Sequence, residues 1–177
     1  MAVTEVILKP VDVADTPWIQ QYASDPRISA TCNVPSPYPE NGAKAFVQSA
    51  IQGREARTHY VFCVYAAGEF AGLMTLNSVD HANHSASLDY WIAVPFWGRG
   101  IGTAAAKQMV AYAFDVLKMS RLHSGCLASN PASGRVLSKA GFVEEGSMTH
   151  DGVGDGRFQG ERIRLFQRTD SNRIAFC

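Results

Sequence analysis

The stretch Trp91 to Ala106, WIAVPFWGRGIGTAAA, restricts the fold more than any other part of this chain. The apolar run from Tyr90 to Val94 reads as a buried strand. Pro95 ends it, because proline has no N–H to give a ladder. Gly98, Gly100 and Gly102 follow at two-residue spacing, and an apolar-periodic stretch from Thr103 to Leu117 reads as a helix. Strand, glycine turn and helix start make the layout of an anion site. The first N–H groups of a helix have no intrahelical partner, and the dipole there favours negative charge. Glycines let that backbone approach a phosphate closely and adopt positive φ. The spacing is not the Rossmann fingerprint, which needs Gly-x-Gly-x-x-Gly and an acidic residue roughly 20 positions on. It is not a P-loop either, since Gly102-Thr103 follows Ile101 and no lysine stands between them. On these residues alone, a tight strand-to-helix turn without a ligand stays open.

Composition narrows the class. With 177 residues the default is one domain, 1–177, and 46% hydrophobic residues suffice for a core. A formal net charge of +0 argues against a broad nucleic-acid-binding surface. Cys32, Cys63, Cys126 and Cys177 are scattered with no Cys-x-x-Cys, and Cys63 and Cys126 lie in strand-like runs as buried thiols. No apolar run approaches the ~20 residues of a membrane span. The start, MAVTEVILKP, lacks a basic lead and a long apolar segment. The expectation is a soluble, cytoplasmic protein.

The elements fall in a definite order. Val3 to Lys9 reads as a strand stopped by Pro10. Asp12 to Tyr22 reads as a helix, with Asp15 or Thr16 at its N-cap and Pro17 at its first position, and Asp25-Pro26 breaks it. Thr31 to Glu40, TCNVPSPYPE, is a shaped surface loop. Asn41 to Arg57 carries Phe46, Val47, Ala50 and Ile51 at helical spacing, with Asn41 as N-cap. Thr58 to Ala66 and Phe70 to Val79 form a hairpin about Ala67-Gly68-Glu69. After the turn Asp80 to Ser85, Ala86 to Val94 feeds the glycine loop. Arg121 to Leu127 is a short strand. Asn130 and Pro131 open a helix as N-cap and N1, with Val136, Leu137 and Ala140 facing inward, and Gly141 closes it. Phe142 to Glu145 starts a strand, Gly146 to Gly160 is a mobile loop, and Arg162 to Gln167 is a last strand. Thr169 to Cys177 is a tail without an assignment. The order β-α-α-β-β-β-α-β-α-β-β implies an α/β fold with a mixed, mostly antiparallel central sheet flanked by helices.

Two segments carry a resemblance. Trp97-Gly98-Arg99-Gly100-Ile101-Gly102 resembles the Gln/Arg-x-x-Gly-x-Gly/Ala pyrophosphate loop of the GNAT superfamily of N-acetyltransferases, in the Tyr/Phe-Trp-Gly-x-Gly variant of the RimJ/RimL-type branch. Asn130 to Phe142 resembles the GNAT segment Asn-x-x-Ser-x-x-x-x-x-Lys-x-Gly-Phe. Together with the strands around them they cover most of residues 58–145, and the element order is also the GNAT order.

The resemblance implies acetyl-CoA as co-substrate, no metal and an amine acceptor, with no nucleic-acid or membrane partner, in a monomer or homodimer. It implies that the amides of Gly98, Arg99, Gly100, Ile101, Gly102 and Thr103 hold the pyrophosphate, and that the strand end from Ile92 to Val94 pairs with the pantetheine arm. It puts Asn130 and Ser133 near the sulfur, with Ser133 the group that serves the departing thiolate. A serine hydroxyl is a poor acid, so this is hydrogen bonding more than proton donation. Asn130 also suits a plain N-cap. In the same branch a segment Asn-x-Pro-x-Pro-Tyr-Pro borders the acceptor cleft, which makes Tyr38 a candidate substrate contact beside its alternative role of packing the loop down.

The base departs from the pattern. Relatives commonly carry Glu-x-Gly-Tyr-Trp on this strand; aligned on Tyr90-Trp91, Ser87 takes the glutamate position and Asp89 the glycine position. Residues two apart share a strand face, so Asp89 projects into the same cleft as a catalytic candidate, with a structural carboxylate as the alternative. An α-amine with pKa near ~8 is roughly a tenth neutral at pH 7, whereas a lysine near ~10.4 is mostly charged. Weak base machinery therefore tilts the acceptor toward a protein N-terminal α-amine or another low-pKa amine. His81 and His84, in the preceding turn, are surface residues or proton relays through water. Trp91 and Trp97 are read as packing and Glu69 as solvated. A small-molecule amine acceptor remains open, as does a CoA-binding protein without turnover.

Overall fold

A computed structural model describes residues 3–170. Strands β1 (Val6–Pro10), β2 (Tyr60–Ala66), β3 (Glu69–Asp80) and β4 (Ser85–Ile92) pair antiparallel in sequence. Strand β5 (Arg121–Leu127) lies parallel to β4. Strands β6 (Val143–Thr149) and β7 (Arg162–Thr169) pair antiparallel, and β7 inserts between β5 and β6. The sheet order is β1-β2-β3-β4-β5-β7-β6. The mixed, mostly antiparallel sheet is the one the order of elements predicts.

Helices cover both faces. On one side α1 (Thr16–Ala23) and α3 (Gly42–Glu55) bury Ile19, Ala43, Val47 and Ala50 against Val61, Cys63, Phe70 and Leu73. On the other, α4 (Ile101–Ala111) and α5 (Pro131–Lys139) bury Ile101, Ala105, Met109 and Leu137 with Phe62, Val64, Met74, Leu76 and Leu88. Alternate residues of a strand point to opposite faces, so Phe62 and Val64 serve one core while Val61 and Cys63 serve the other. That double burial explains why β2 reads as an unbroken apolar run. Among the described residues no helix is long and apolar enough to cross a membrane.

Several boundaries move for physical reasons. The first strand runs Val6–Pro10, not Val3 to Lys9; β1 is an edge strand, where proline is tolerated. Asp25-Pro26 does more than break a helix. The Asp25 carboxylate accepts from Arg27 N–H at 2.9 Å and caps a four-residue helix, α2 (Pro26–Ser29). Neither predicted cap residue acts as one at α1 or α3. The Asp15 carboxylate accepts instead from Asp12 N–H at 2.9 Å and from the Tyr65 hydroxyl. At α3, Gln20 Oε1 of α1 takes the Ala43 N–H at 3.1 Å in place of Asn41. Strand β4 ends at Ile92; Val94–Phe96 forms a 3-10 turn around Pro95. Helix α4 begins at Ile101 rather than Thr103 and ends at Ala111, and Tyr112–Val116 continues as a π turn closed by Leu117 N–H to Tyr112 C=O at 3.2 Å. The first part of the expected loop Gly146 to Gly160 is strand, since a bulge between Glu144 and Gly146 lets β6 run to Thr149. Of the unassigned tail, Thr169 ends β7; residues 171–177, with Cys177, lie outside the described residues.

Gly72 marks a close approach of β3 and β4: a Cβ there would lie 2.3 Å from the Trp91 carbonyl oxygen. Gly72→Ala is expected to destabilise the protein by about 1–3 kcal/mol, the usual cost of overpacking. Urea unfolding measures it, and an unchanged midpoint would mean the two strands separate without cost.

Candidate active site

The parallel ladder between β4 and β5 is short. It joins Ser85, Ala86 and Ser87 to Arg121, Leu122 and His123 and then stops, although both strands continue. Past that point lies a cleft of about 1020 Å³, lined by Leu88 to Ile92 on one strand and Ser124 to Leu127 on the other. Ala93 N–H donates to the Ala71 carbonyl at 2.7 Å, so odd-numbered residues of this part of β4 bond β3. Leu88, Tyr90 and Ile92 therefore turn their amides and carbonyls toward the cleft. Two of those carbonyls are satisfied locally. Ser124 Oγ donates to Leu88 C=O at 2.8 Å, and the Trp97 indole N–H donates to Ile92 C=O at 2.6 Å.

The glycine loop closes one end. Gly98 and Gly100 have φ of 73° and 75°, the left-handed region, and Gly100 sits at the N-cap of α4. An added Cβ on either would meet nothing within 4 Å, so the backbone itself is open to a ligand. Among the described residues, none of the amides of Gly98, Arg99, Gly100, Ile101, Gly102 and Thr103 donates to a protein acceptor; the first bond of the region is Ala104 N–H to Gly100 C=O at 3.1 Å. Gly98, Gly100, Ile101, Gly102 and Thr103 line the cleft, as does Ile92. The Arg99 side chain does not; it stacks over the Phe96 ring at 5.4 Å. Val94 lies in the 3-10 turn and does not line the cleft either. With the Ile92 carbonyl occupied by Trp97, the edge left for an added strand is Tyr90 and the Ile92 amide.

Helix α5 supplies the second wall. Asn130 occupies its N-cap position but makes no side-chain cap bond, and it lines the cleft. The Ser133 and Tyr90 hydroxyls lie 2.7 Å apart, and the Tyr90 hydroxyl is 3.3 Å from the Ser133 carbonyl. Burial pushes the Tyr90 phenol up to about 12, partly offset by the bond to Ser133. Arg164 of β7 passes beneath Gly134, where a Cβ would lie 2.4 Å from its Nη1, and pairs with Glu144 at 2.6 Å.

Asp89, one residue from Tyr90, points to the opposite face and accepts from Asn77 Nδ2 at 2.7 Å. Around it stand Val61, Leu73, Thr75, Trp91, Phe46 of α3 and His59, whose ring packs on Gly53. Asp89 is the one carboxylate among the described residues lining the cleft. Two loops complete this half: Thr31 to Val34, and the β6–β7 loop through His150 and Phe158. Arg157 ties them together. It donates to the Cys32 carbonyl at 2.9 Å and to the Val34 carbonyl, pairs with Asp155 at 2.5 Å, and covers the Phe158 ring at 4.8 Å. Burial pushes the Cys32 thiol up to about 11.

Other candidates lie elsewhere. Tyr38 packs on the start of α3, its ring 3.0 Å from where a Gly42 Cβ would stand, and does not line the cleft. His81 contacts the Arg57 carbonyl at 2.9 Å, and His84 shapes a turn with φ of 54°; neither reaches the cleft. Cys63 and Cys126 are buried thiols, with Cys126 at the cleft wall. Sequence reasoning missed Tyr90, Phe46, His59, His150, Phe158 and Arg157 as site residues. For Tyr90 a signal existed, because it alternates with Asp89 on the same strand. For the others the helical or loop context gave none.

Residues 5–143 match the acetyltransferase (GNAT) domain family. A protein provisionally named a ribosomal N-acetyltransferase, YdaF of Bacillus subtilis (strain 168), is 37% identical over 86 residues, covering 49% of this chain and 46% of that one. The spermidine N(1)-acetyltransferase of Escherichia coli (strain K12) is 31% identical over 107 residues, covering 60% and 58%. The chain thus spans about half the length of these curated relatives. The fold matches Mycobacterium smegmatis RimJ in complex with CoA-disulfide at a TM-score of 0.84, with 22% identity over 96% of this chain and 84% of that one. It matches spermidine N-acetyltransferase from Vibrio cholerae in complex with CoA and spermine at 0.81, with 18% identity over 94% and 96%.

Arg157→Ala is expected to loosen the wall that Arg157 holds. A hydrogen bond to a charged group is worth about 1.5–3 kcal/mol, so amide exchange over 150–161 and 31–34 should rise at least about tenfold while β2 and β3 keep their protection. Hydrogen-exchange mass spectrometry reads this. Unchanged exchange would mean the loops are held by their other contacts.

Proposed function

The chain belongs to the GNAT acetyltransferase domain family, and from that premise we propose that it transfers the acetyl group of acetyl-CoA to a primary amine by direct attack. One observation carries this reading: a row of amides from Gly98 to Thr103, at a helix start and beside the cleft, without protein acceptors among the described residues. Buried or clustered N–H groups need partners, and a diphosphate supplies several negative oxygens at once. Asn130 and Ser133 line the cleft on the α5 side, with Ser133 meeting Tyr90 of β4, and they serve the sulfur end. Thiolate release is served from the α5 face.

The amine enters from the face that carries Asp89. Acyl transfer needs a neutral nitrogen, and Asp89 takes its proton directly or through water. Asn77 holds the carboxylate in place at 2.7 Å. Because Ser133 and Asp89 reach the cleft from opposite faces of one sheet, nucleophile and leaving group are served from separate sides. Alignment of two bound substrates supplies on the order of 7–11 kcal/mol in ideal cases, which reduces what either side chain must contribute.

The acceptor we favour is a protein N-terminal α-amine. A single carboxylate suits one cationic nitrogen, and Phe46, Val61, Leu73 and Trp91 suit a neighbouring apolar side chain. A small amine is the second reading, favoured by the likeness to spermidine acetyltransferases. A polyamine carries several charges and finds only Asp89 here among the described cleft residues.

Thiol release from acetyl-CoA, followed with purified protein against peptides with free Ala, Ser or Met ends, amino acids and spermidine, tests the reading. We expect turnover with the peptides, a CoA-dependent rise in melting temperature, and no such rise with NAD. Ser133→Ala should lower kcat on the order of 10²-fold with little loss of CoA affinity; equal loss in both removes its catalytic role. Asp89→Asn should lower kcat with the peptides on the order of 10²-fold with little change in CoA affinity, and an unchanged kcat removes Asp89 as base.

A further inference from the structure

We infer that Tyr90 and Ser133 form one hydrogen-bond relay that holds the CoA sulfur as thiolate, with Tyr90 the positioning residue that aims the Ser133 hydroxyl hydrogen into the cleft. The inference rests on the proposed reading that CoA occupies the cleft, and it adds a residue that no motif match assigned.

The two hydroxyls are 2.7 Å apart, and both residues line the cleft. Each hydroxyl has one hydrogen, so one of the two is used between them and one is left over. A phenol is the better donor and the poorer acceptor, since its lone pairs delocalise into the ring. Tyr90 therefore donates to Ser133 Oγ, the nearer of its two acceptors at 2.7 Å against 3.3 Å for the Ser133 carbonyl, and the Ser133 hydrogen is the one that remains for a ligand. Ser133 lies in the first turn of the nine-residue helix α5, where the dipole favours negative charge. A hydroxyl that accepts one hydrogen bond while giving another is polarised and donates more strongly.

The relay works without a proton crossing it. When the amine nitrogen bonds the acyl carbon, the C–S bond breaks and its electron pair stays on sulfur, while the surplus amine proton leaves toward Asp89 or water. A thiol titrates near ~8.5, and Tyr90, raised to about 12 by burial, is too weak an acid to protonate the thiolate. Hydrogen bonding is what remains. Other charged or titratable groups near the pair are Cys126 of β5, Arg164 of β7 with its partner Glu144 of β6, Asp89 on the opposite face, and Arg135 and Lys139 further along α5. All of them stay in place in the variants below.

The test is a titration of the thiol of CoA bound to the full chain, read by thiolate ultraviolet absorbance. In the wild type the bound thiol should ionise about one pH unit below free CoA, a tenfold preference for thiolate. Ser133→Ala should return it to the free value and Tyr90→Phe most of the way. The double variant should go no further than Ser133→Ala alone, since the two residues act in series. Desulfo-CoA, which lacks the sulfur, should bind wild type and variants alike, which separates this role from a structural one. An unshifted midpoint in the wild type, a Tyr90→Phe midpoint equal to wild type, or additive effects would overturn the relay while leaving the CoA site standing. Failure of CoA and desulfo-CoA to bind the wild type would overturn the coenzyme reading and the relay together.

Discussion

The structure depends on a ladder that stops early. β4 and β5 share only three paired positions before their remaining lengths face a cleft. A parallel pair that continued would satisfy its own backbone groups and leave no room. Because it ends at Ser87 and His123, the polar edges beyond it must find partners elsewhere. Side chains provide two of these, from Ser124 and Trp97. The amides of the glycine loop, at the far end of the same opening, have none among the described residues. An open seam through the middle of a sheet is thus a structural liability and, under the proposed function, the place that holds the coenzyme.

The seam also separates chemistry by parity. Neighbouring residues of a strand face opposite ways, so Tyr90 and Asp89 reach the two sides of one opening from adjacent positions. Tyr90 meets Ser133 from α5; Asp89 meets Asn77 from β3. Under the proposed acyl transfer, the leaving sulfur and the entering amine are handled by two sets of groups held rigidly relative to each other by β4 itself. The wall on the amine side is built differently, from two loops far apart in the chain that Arg157 joins through backbone carbonyls.

Much of the fold was legible because its signals are local. The apolar run of β2, the hairpin glycine at 68, the Asn130-Pro131 helix opening and the closing Gly141 all lie within a few residues of what they specify. The misplacements have non-local causes. Pro10 is tolerated at an edge, yet whether a strand is an edge depends on the whole sheet order. The sequence offers Asp15 or Thr16 as the cap of α1, but Asp12 N–H and Tyr65, fifty residues on, take the Asp15 carboxylate. For Tyr38 the sequence leaves a cleft contact and a loop-packing role open, and its ring packs on Gly42.

The sequence by itself determined the glycine loop, the presence of a helix behind it, the alternation along β4 and the succession of elements apart from the short α2, since each follows from steric and hydrogen-bonding rules acting over a few residues. The tertiary structure alone decided where the β4–β5 ladder ends, that Ser133 meets Tyr90, and that Arg157 clasps the loop at Cys32 and Val34. Those pairings join residues dozens of positions apart. Their distances are set by sheet register and by the docking of helices and loops on it, and no nearest-neighbour preference encodes that.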